Sequence, residues 1–459
     1  VSRERANGSN VNASGTLSVA AGDIIALALN LDDKEIKFYK NGTLEHTITG
    51  VQDGTYYPFV CYQMNLNRLE QRVNFGQDST FAGLETAGGN SDGNGVGDFA
   101  QSVISGHLAI CSANLPDVTI GPNNDTQADD YFNTVLYTGN GTGQSITGVG
   151  FQPDWVWLKT RSVGYQHSLY DSVRGGQYRL ASDQLAAEVD NSSANLQSFD
   201  ADGFTVGTLI NDNQNSVTYV GWNWKAGGTA SSNTNGSITS SVSASQDAGF
   251  SIVGYTGTGA NATIGHGLSS APELIIIKRR DGSTSWKTGS SRLISWTYRL
   301  KLNDTNYQNS ESDVFNDTAP TNTVFSLGTD AMVNGSGNPF ISYCFHSVSG
   351  YSAVGSYVGN GSEDGTFIFT NFAVKYVLIK KITTSTSNWI VIDAERSPFN
   401  LADDRLIPNT TSDESEANGI DMLSNGFKTR STQHQTNDSG ETFIYLAFAE
   451  APFKYANAR

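Results

Sequence analysis

Cysteine is scarce in this chain of 459 residues, and so is charge. The three cysteines, Cys61, Cys111 and Cys344, lie far apart. An odd, sparse set gives neither a disulfide framework nor a spaced metal pair, and such residues behave as small buried hydrophobes. Charged residues make up only 16% of the chain, with 28 basic against 45 acidic residues and a formal charge of −17. That balance repels polyanions, so neither nucleic acid nor an anionic membrane surface is an expected partner. No apolar run approaches the roughly 18 residues of a membrane span, so no membrane insertion is expected. Catalytic signatures are missing too: no GxSxG elbow, HExxH helix, GxxxxGK[ST] loop or CxxC pair occurs. Six histidines, His46, His107, His167, His266, His346 and His434, are scattered without metal-ligand spacing. The expectation is a protein that is not an enzyme, with no catalytic residue, no metal and no cofactor. Paired carboxylates for glycoside hydrolysis meet only in space and leave no motif.

What is there is Gly, Asn, Ser and Thr, set between apolar runs of four to seven residues. Turn signals such as "KNGT", "DADGF" and "LSNGF" separate the runs, so the predicted fold class is all-β. Long helical periodicity is absent, and "SDQLAAEVDNSSANL" from Ser182 is the best candidate for a short helix. In the first third, Ile24–Leu31 and Glu35–Tyr39 read as strands joined at Asp32-Asp33, with a second turn at Asn41-Gly42. The blocks "ALNLDD", "IKFYKNG", "YYPFV" and "VNFGQ" follow Gly22-Asp23 in an order that resembles a SPRY domain. "SGHLAICSANLPDVTI" is similar to the segment that closes such domains in phage proteins. The resemblance implies a concanavalin-like β-sandwich over residues 1–116. Its opening strands are not found after Val1, so residues upstream of Val1 or another chain are expected to complete it.

The rest of the chain repeats itself. "LYTGNGTGQSITGVGFQPDWVWLKTR", "GYTGTGANATIGHGLSSAPELIIIKRR" and "SYVGNGSEDGTFIFTNFAVKYVLIKK" align on Tyr137, Tyr255 and Tyr357, then on Lys159, Lys278 and Lys380. The Tyr-to-Lys spacings are 22, 23 and 23 residues. Arg179, Arg299 and Arg405 follow in "YRLASD", "YRLKLN" and "DRLIPN". The reading is three copies of one sandwich-like β-domain at 130–228, 248–348 and 351–459, with linkers at 117–129 and 229–247.

Each copy closes on a tyrosine strand: "TYVGWNW", "SYCFHSV", "IYLAFAE". Aligning Tyr219, Tyr343 and Tyr445 sets Trp222 opposite His346 and Phe448, on the face of the core column Val220, Cys344 and Leu446. Trp222 is therefore expected in the core of the first copy. Trp224 falls in a mixed column with Val348 and Glu450 and is the candidate exposed tryptophan, the one position marked for stacking on a ligand. The shared lysines are expected to snorkel or pair where their strands emerge. Asp171-x-x-Arg174 recurs as Asp393-x-x-Arg396, with Gly289 and Arg292 in the middle copy, and reads as a local salt bridge. "DADG" at Asp200–Gly203 reads as a hairpin turn, because one short cluster lacks the six or more oxygens calcium takes.

The repeat blocks "FQPDWVWLKTR", "SFDADGFTVG", "YVGWNWKAGG" and the terminal "FIYLAFAEAPFKYANAR" resemble a domain family in virion proteins of marine tailed phages, including cyanophages. There it often follows a SPRY-like domain. The resemblance implies a non-enzymatic structural protein on the virion surface, a tail fibre or appendage that contacts the host cell. Its partners would be itself as a homotrimer, other virion proteins, and a host surface glycan or protein. A head fibre or capsid decoration, a tail-associated glycan depolymerase and a secreted lectin-like adhesin are the alternatives.

Overall fold

The computed structural model describes residues 3–6, 9–12, 19–51, 72–110, 114, 120–121 and 124–450. They fall into two compact units, Val1–Asp117 and Val118–Arg459. The described elements are strands, short turns of helix and loops, so the fold is all-β as expected.

In the first unit, Ile25–Asn30, Glu35–Lys40 and Thr43–Thr49 form an antiparallel meander. Asn41 and Gly42 both take positive φ, 48° and 83°, the backbone that a tight two-residue hairpin requires. The Asn41 side chain accepts from the Ile24 amide at 2.8 Å and so ties the turn to the first strand. Asp92 gathers the amides of Asn94, Val96 and Ala109, and these donors hold its carboxyl down at about 2. "YYPFV", Cys61 and Cys111 lie outside the described residues.

The second unit contains three lobes with one strand plan. In the first, Phe132–Thr138 pairs with Thr218–Trp224, which pairs with Trp155–Thr160, which pairs with Ser168–Asp171. In the second, the same order runs Phe250–Thr256, Pro339–Phe345, Leu274–Arg279, Lys287–Ser290. In the third it runs Ser352–Val358, Thr442–Ala449, Val374–Lys381, Trp389–Asp393. An outer sheet of three, two and four strands, in that order, backs each of these inner sheets, and an apolar layer separates the two, as with Ile146, Leu158 and Phe204 in the first lobe.

The inner sheets also bury their opposite faces, against one another. Val220, Trp222 and Trp224 join Ile341, Tyr343 and Phe345 of the second lobe and Leu446 and Phe448 of the third in one cluster. Rings meet across lobes: Trp155 with Tyr343 at 4.4 Å, Phe132 with Phe448 at 4.9 Å, Trp224 with Tyr376 at 5.8 Å. Burial on both faces explains why "WVWLK", "LIIIK" and "YVLIK" are continuous apolar runs.

Two segments depart from expectation. No helix forms at Ser182–Leu196; the Leu185 carbonyl and Glu188 amide bond instead to Thr284 and Arg280 of the second lobe. That tertiary pairing outcompetes a weak local propensity. The stretch 229–247, expected as a linker, supplies the strands Ser231–Asn233 and Ser240–Ser245 to the second lobe's sheet.

Candidate functional site

The closing strands carry the tryptophans, and their register differs from the tyrosine alignment. Tyr219 lies opposite Tyr137, Phe340 opposite Tyr255, and Phe443 opposite Tyr357. Each pair is a parallel ring stack with centroids 5.0–5.2 Å apart. The equivalent residues are therefore Tyr219, Phe340 and Phe443, not Tyr219, Tyr343 and Tyr445. The shift is three residues in the second lobe, which reverses the face, and two in the third, which does not. Trp222 now stands with Tyr343 and Leu446, and Trp224 with Phe345 and Phe448.

This overturns the reading of Trp224. It is 1% exposed, in contact with Trp155, Phe132 and Phe448. No ligand can stack on it, because its column is a ring of aromatics in the shared core. All seven tryptophans are buried. Trp222 is buried as expected, but in the core between lobes and not in that of the first; its Nε1 donates to Asp393 of the third lobe at 2.9 Å.

The shared lysines do not snorkel; all three are fully buried. Lys159 Nζ donates to the carbonyls of Tyr165 in its own hairpin, at 2.7 Å, and Thr411 in the third lobe, at 3.1 Å. Lys278 Nζ donates to Thr284, at 2.6 Å, and to Leu185 of the first lobe, at 2.7 Å. Lys380 Nζ donates to Ser387 and, at 3.0 Å, to Thr305 of the second lobe. The lobes thus clasp one another in a closed cycle, first to third, third to second, second to first. Each distant acceptor lies six residues beyond Arg405, Arg179 or Arg299. Burial pulls Lys159 and Lys278 down to about 8 and Lys380 to about 7.

A second rung repeats the cycle. His167 Nε2 bonds the Ile407 carbonyl at 3.0 Å, while Trp286 Nε1 bonds Ala181 and Trp389 Nε1 bonds Lys301, both at 2.9 Å. Trp157 Nε1 donates to His167 Nδ1 at 2.9 Å, so the ring proton sits on Nε2. Burial holds His167 well below the usual histidine range, and the imidazole is neutral.

The third rung is unequal. Asp171 pairs with Arg174 at 2.5 Å and accepts from the Tyr343 hydroxyl of the second lobe at 2.8 Å. Asp393 pairs with Arg396 at 2.6 Å and accepts from Trp222 of the first lobe. These pairs are local, as read from the sequence, and their side chains are completely buried. In the second lobe the ladder places Ser290, not Gly289, in the position of Asp171: Leu274 faces Ser290 as Trp155 faces Asp171. The arginine position is Leu293, and the donor that would come from the third lobe is Leu446. Acid, base and donor are lost together, and a water-sized void of ≈ 10 Å³ lined by Leu274, Leu378, Trp389 and Leu446 lies at that seam.

A buried asparagine in each lobe escaped the sequence reading. Asn213, Asn334 and Asn437 are 0% exposed, and each binds the Gly-rich turn after the first inner strand. Their Oδ1 atoms accept from the amides of Asn140, Thr258 and Asn360 at 2.8–3.0 Å. The Tyr137, Tyr255 and Tyr357 hydroxyls bond the carbonyls of the residues just before them, Asp212, Val333 and Thr436. Each asparagine precedes its closing aromatic by six residues, and that spacing was the signal for the true register. "DADG" is a hairpin turn whose Asp202 accepts from the Gly148 and Gly150 amides. Among the described residues, no group of three or more His, Cys, Asp or Glu could hold a metal. Cys344 is a free, buried thiol.

Fold and seams together define an all-β protein whose chemically interesting side chains fasten three lobes into one body. Residues 127–452 match the model of the family described as Domain of unknown function (DUF7483), and the chain belongs to that family. The matched range spans all three lobes. No curated protein and no solved structure matches the chain.

Proposed function

We propose that this protein is a structural component of a tailed-phage virion, a tail fibre or appendage without catalytic activity that presents β-lobes to the host surface. One observation carries most of the weight. The lysines, Asp–Arg pairs and indoles that could have served chemistry are spent on contacts that close three lobes around a shared aromatic core. A body fastened at every seam in this way suits an extracellular particle. Its strongly acidic charge fits a surface that stays soluble and does not adhere to nucleic acid. The virion assignment itself rests on the sequence resemblance. Immunogold labelling of purified virions with antibodies to this chain is the test. Label at the tail or its appendages supports the reading, label on the capsid moves the protein to the head, and absence from virions overturns it. Release of reducing sugar from host capsule by the purified chain would replace it with a depolymerase.

A further inference from the structure

The outer-sheet edge strand of each lobe has the same place in the plan and a different cover. In the first lobe it is Gln144–Thr147, in the second Ala262–Gly265, in the third Phe367–Phe369. Ile146, Ile264 and Ile368 point inward from them onto Phe204, Phe325 and Phe427. In the second lobe this edge is occupied. Ile238 bridges to Ile264, the Ile238 amide donates to the Thr263 carbonyl at 3.1 Å, and Ser237 and Thr263 exchange side-chain bonds. The N–H and C=O of Thr263 therefore face outward, and alternation turns those of its counterpart Phe367, and of Phe369, the same way.

The first lobe leaves its edge polar, with Ser145 and Thr147 outward. The third does the opposite. Phe367 and Phe369 are 40% and 54% exposed on a strand that ends its sheet. An open, apolar edge is a pairing template that proteins ordinarily blunt. The local sequence Thr366-Phe367-Ile368-Phe369-Thr370 is also a palindrome. A two-fold axis through Ile368 would set Phe367 against Phe369 of the other copy, and Thr366 against its Thr370. The outward amides and carbonyls would then meet in four backbone bonds, with four phenyl rings clustered on one face. Aromatic cross-strand pairs are favourable, and a two-fold contact needs a self-complementary patch.

We propose that the Phe367–Phe369 edge joins antiparallel to the same edge of a second copy of this chain, forming a two-fold dimer through a continuous outer sheet. The surface is small and each copy carries −17, so the association is weak and strengthens with salt.

Sedimentation equilibrium of the full chain from about 1 to 100 µM, at low and high salt, tests it, since weak contacts titrate in that range. A reversible dimer is expected. Phe367→Lys with Phe369→Lys should weaken it by at least about tenfold. Phe369→Pro, which keeps an apolar side chain but removes one outward N–H, should weaken it as well. Thr147→Lys on the first lobe's edge should leave it unchanged. Near-UV circular dichroism checks that each variant is folded; if the proline variant is not, the lysine pair, on exposed positions, decides. A monomer throughout, a trimer, or a dimer indifferent to the lysine pair overturns the proposal. So does a monomer that binds a glycan through these two rings.

Discussion

Two of the three seams are polar at their centre and one is not. Where the first lobe meets the second, and the third meets the first, an Asp–Arg pair accepts a tyrosine or tryptophan hydrogen bond. Where the second meets the third, Ser290, Leu293 and Leu446 fill the same three positions. The lysine rung and the indole or imidazole rung are present at all three. The backbone is thus indifferent to the choice, but the choice is all or nothing. A buried pair is tolerable when each partner and the neighbouring donor is satisfied, and an uncharged trio of one serine and two leucines, with the Ser290 hydroxyl accepting from the Arg292 amide, takes its place at the third seam. A mixture leaves a charge or a donor orphaned.

The comparison breaks hardest where one member of a polar trio is removed. Asp171→Ala leaves the buried Arg174 with only the more distant Glu188, at 3.6 Å, and Tyr343 without an acceptor, and should cost about 3–5 kcal/mol in urea unfolding. Ser290→Ala, its counterpart at the apolar seam, should stay within about 0.5–1.5 kcal/mol, the scale of one ordinary hydrogen bond.

Trp222→Ala and Trp224→Ala should each cost about 3–5 kcal/mol, because both rings lie in the shared core and leave cavities there. A clearly smaller loss at Trp224 would restore the exposed-tryptophan reading.

The lysine rung predicts a pH effect common to all seams. Lys159, Lys278 and Lys380 sit at about 8, 8 and 7 in the folded chain against an ordinary 10.5. Between those values the unfolded chain binds protons that the folded chain does not, so unfolding free energy rises with pH through that window. Below it the lysines are charged in both states and the gain is gone. Urea midpoints should therefore climb from about pH 7 to about pH 10, with a flatter climb in Lys380→Met. A midpoint that falls over this range contradicts the sign.

The smallest loss is expected when a polar seam is converted whole. Asp171→Ser, Arg174→Leu and Tyr343→Leu together should leave stability unchanged or raise it by about 1–4 kcal/mol, although the first substitution alone is costly. A loss as large as that of Asp171→Ala would mean that the seams are not interchangeable.

Much of this body could be read from the chain. The alternation of apolar runs and Gly/Asn turns marked the strands, and the Tyr-to-Lys spacing found the same inner strands three times over. Asp171–Arg174 and Asp393–Arg396 were legible as pairs because three residues separate them in the chain. The closing strand was not legible from tyrosine alone. Tyr219, Phe340 and Phe443 share a place because each stacks on a tyrosine of the neighbouring strand, and phenylalanine stacks as well as tyrosine does. The Asn-to-aromatic spacing would have fixed that register.

By itself, then, the sequence determined the local terms: strand class, turn positions, the repeated plan, and which runs are covered on both faces. Periodicity and turn chemistry act over a few residues and are written wherever they act. Only the tertiary structure decided that the second face of each inner sheet is covered by the other lobes. It also decided that the lysines reach carbonyls more than 70 residues away, and that Trp224 closes a core and meets no ligand. The physical reason is that burial belongs to the surroundings. A lysine at a strand end or an indole in a mixed column has the same chemistry whether water or another lobe stands beside it, and only the packed chain says which.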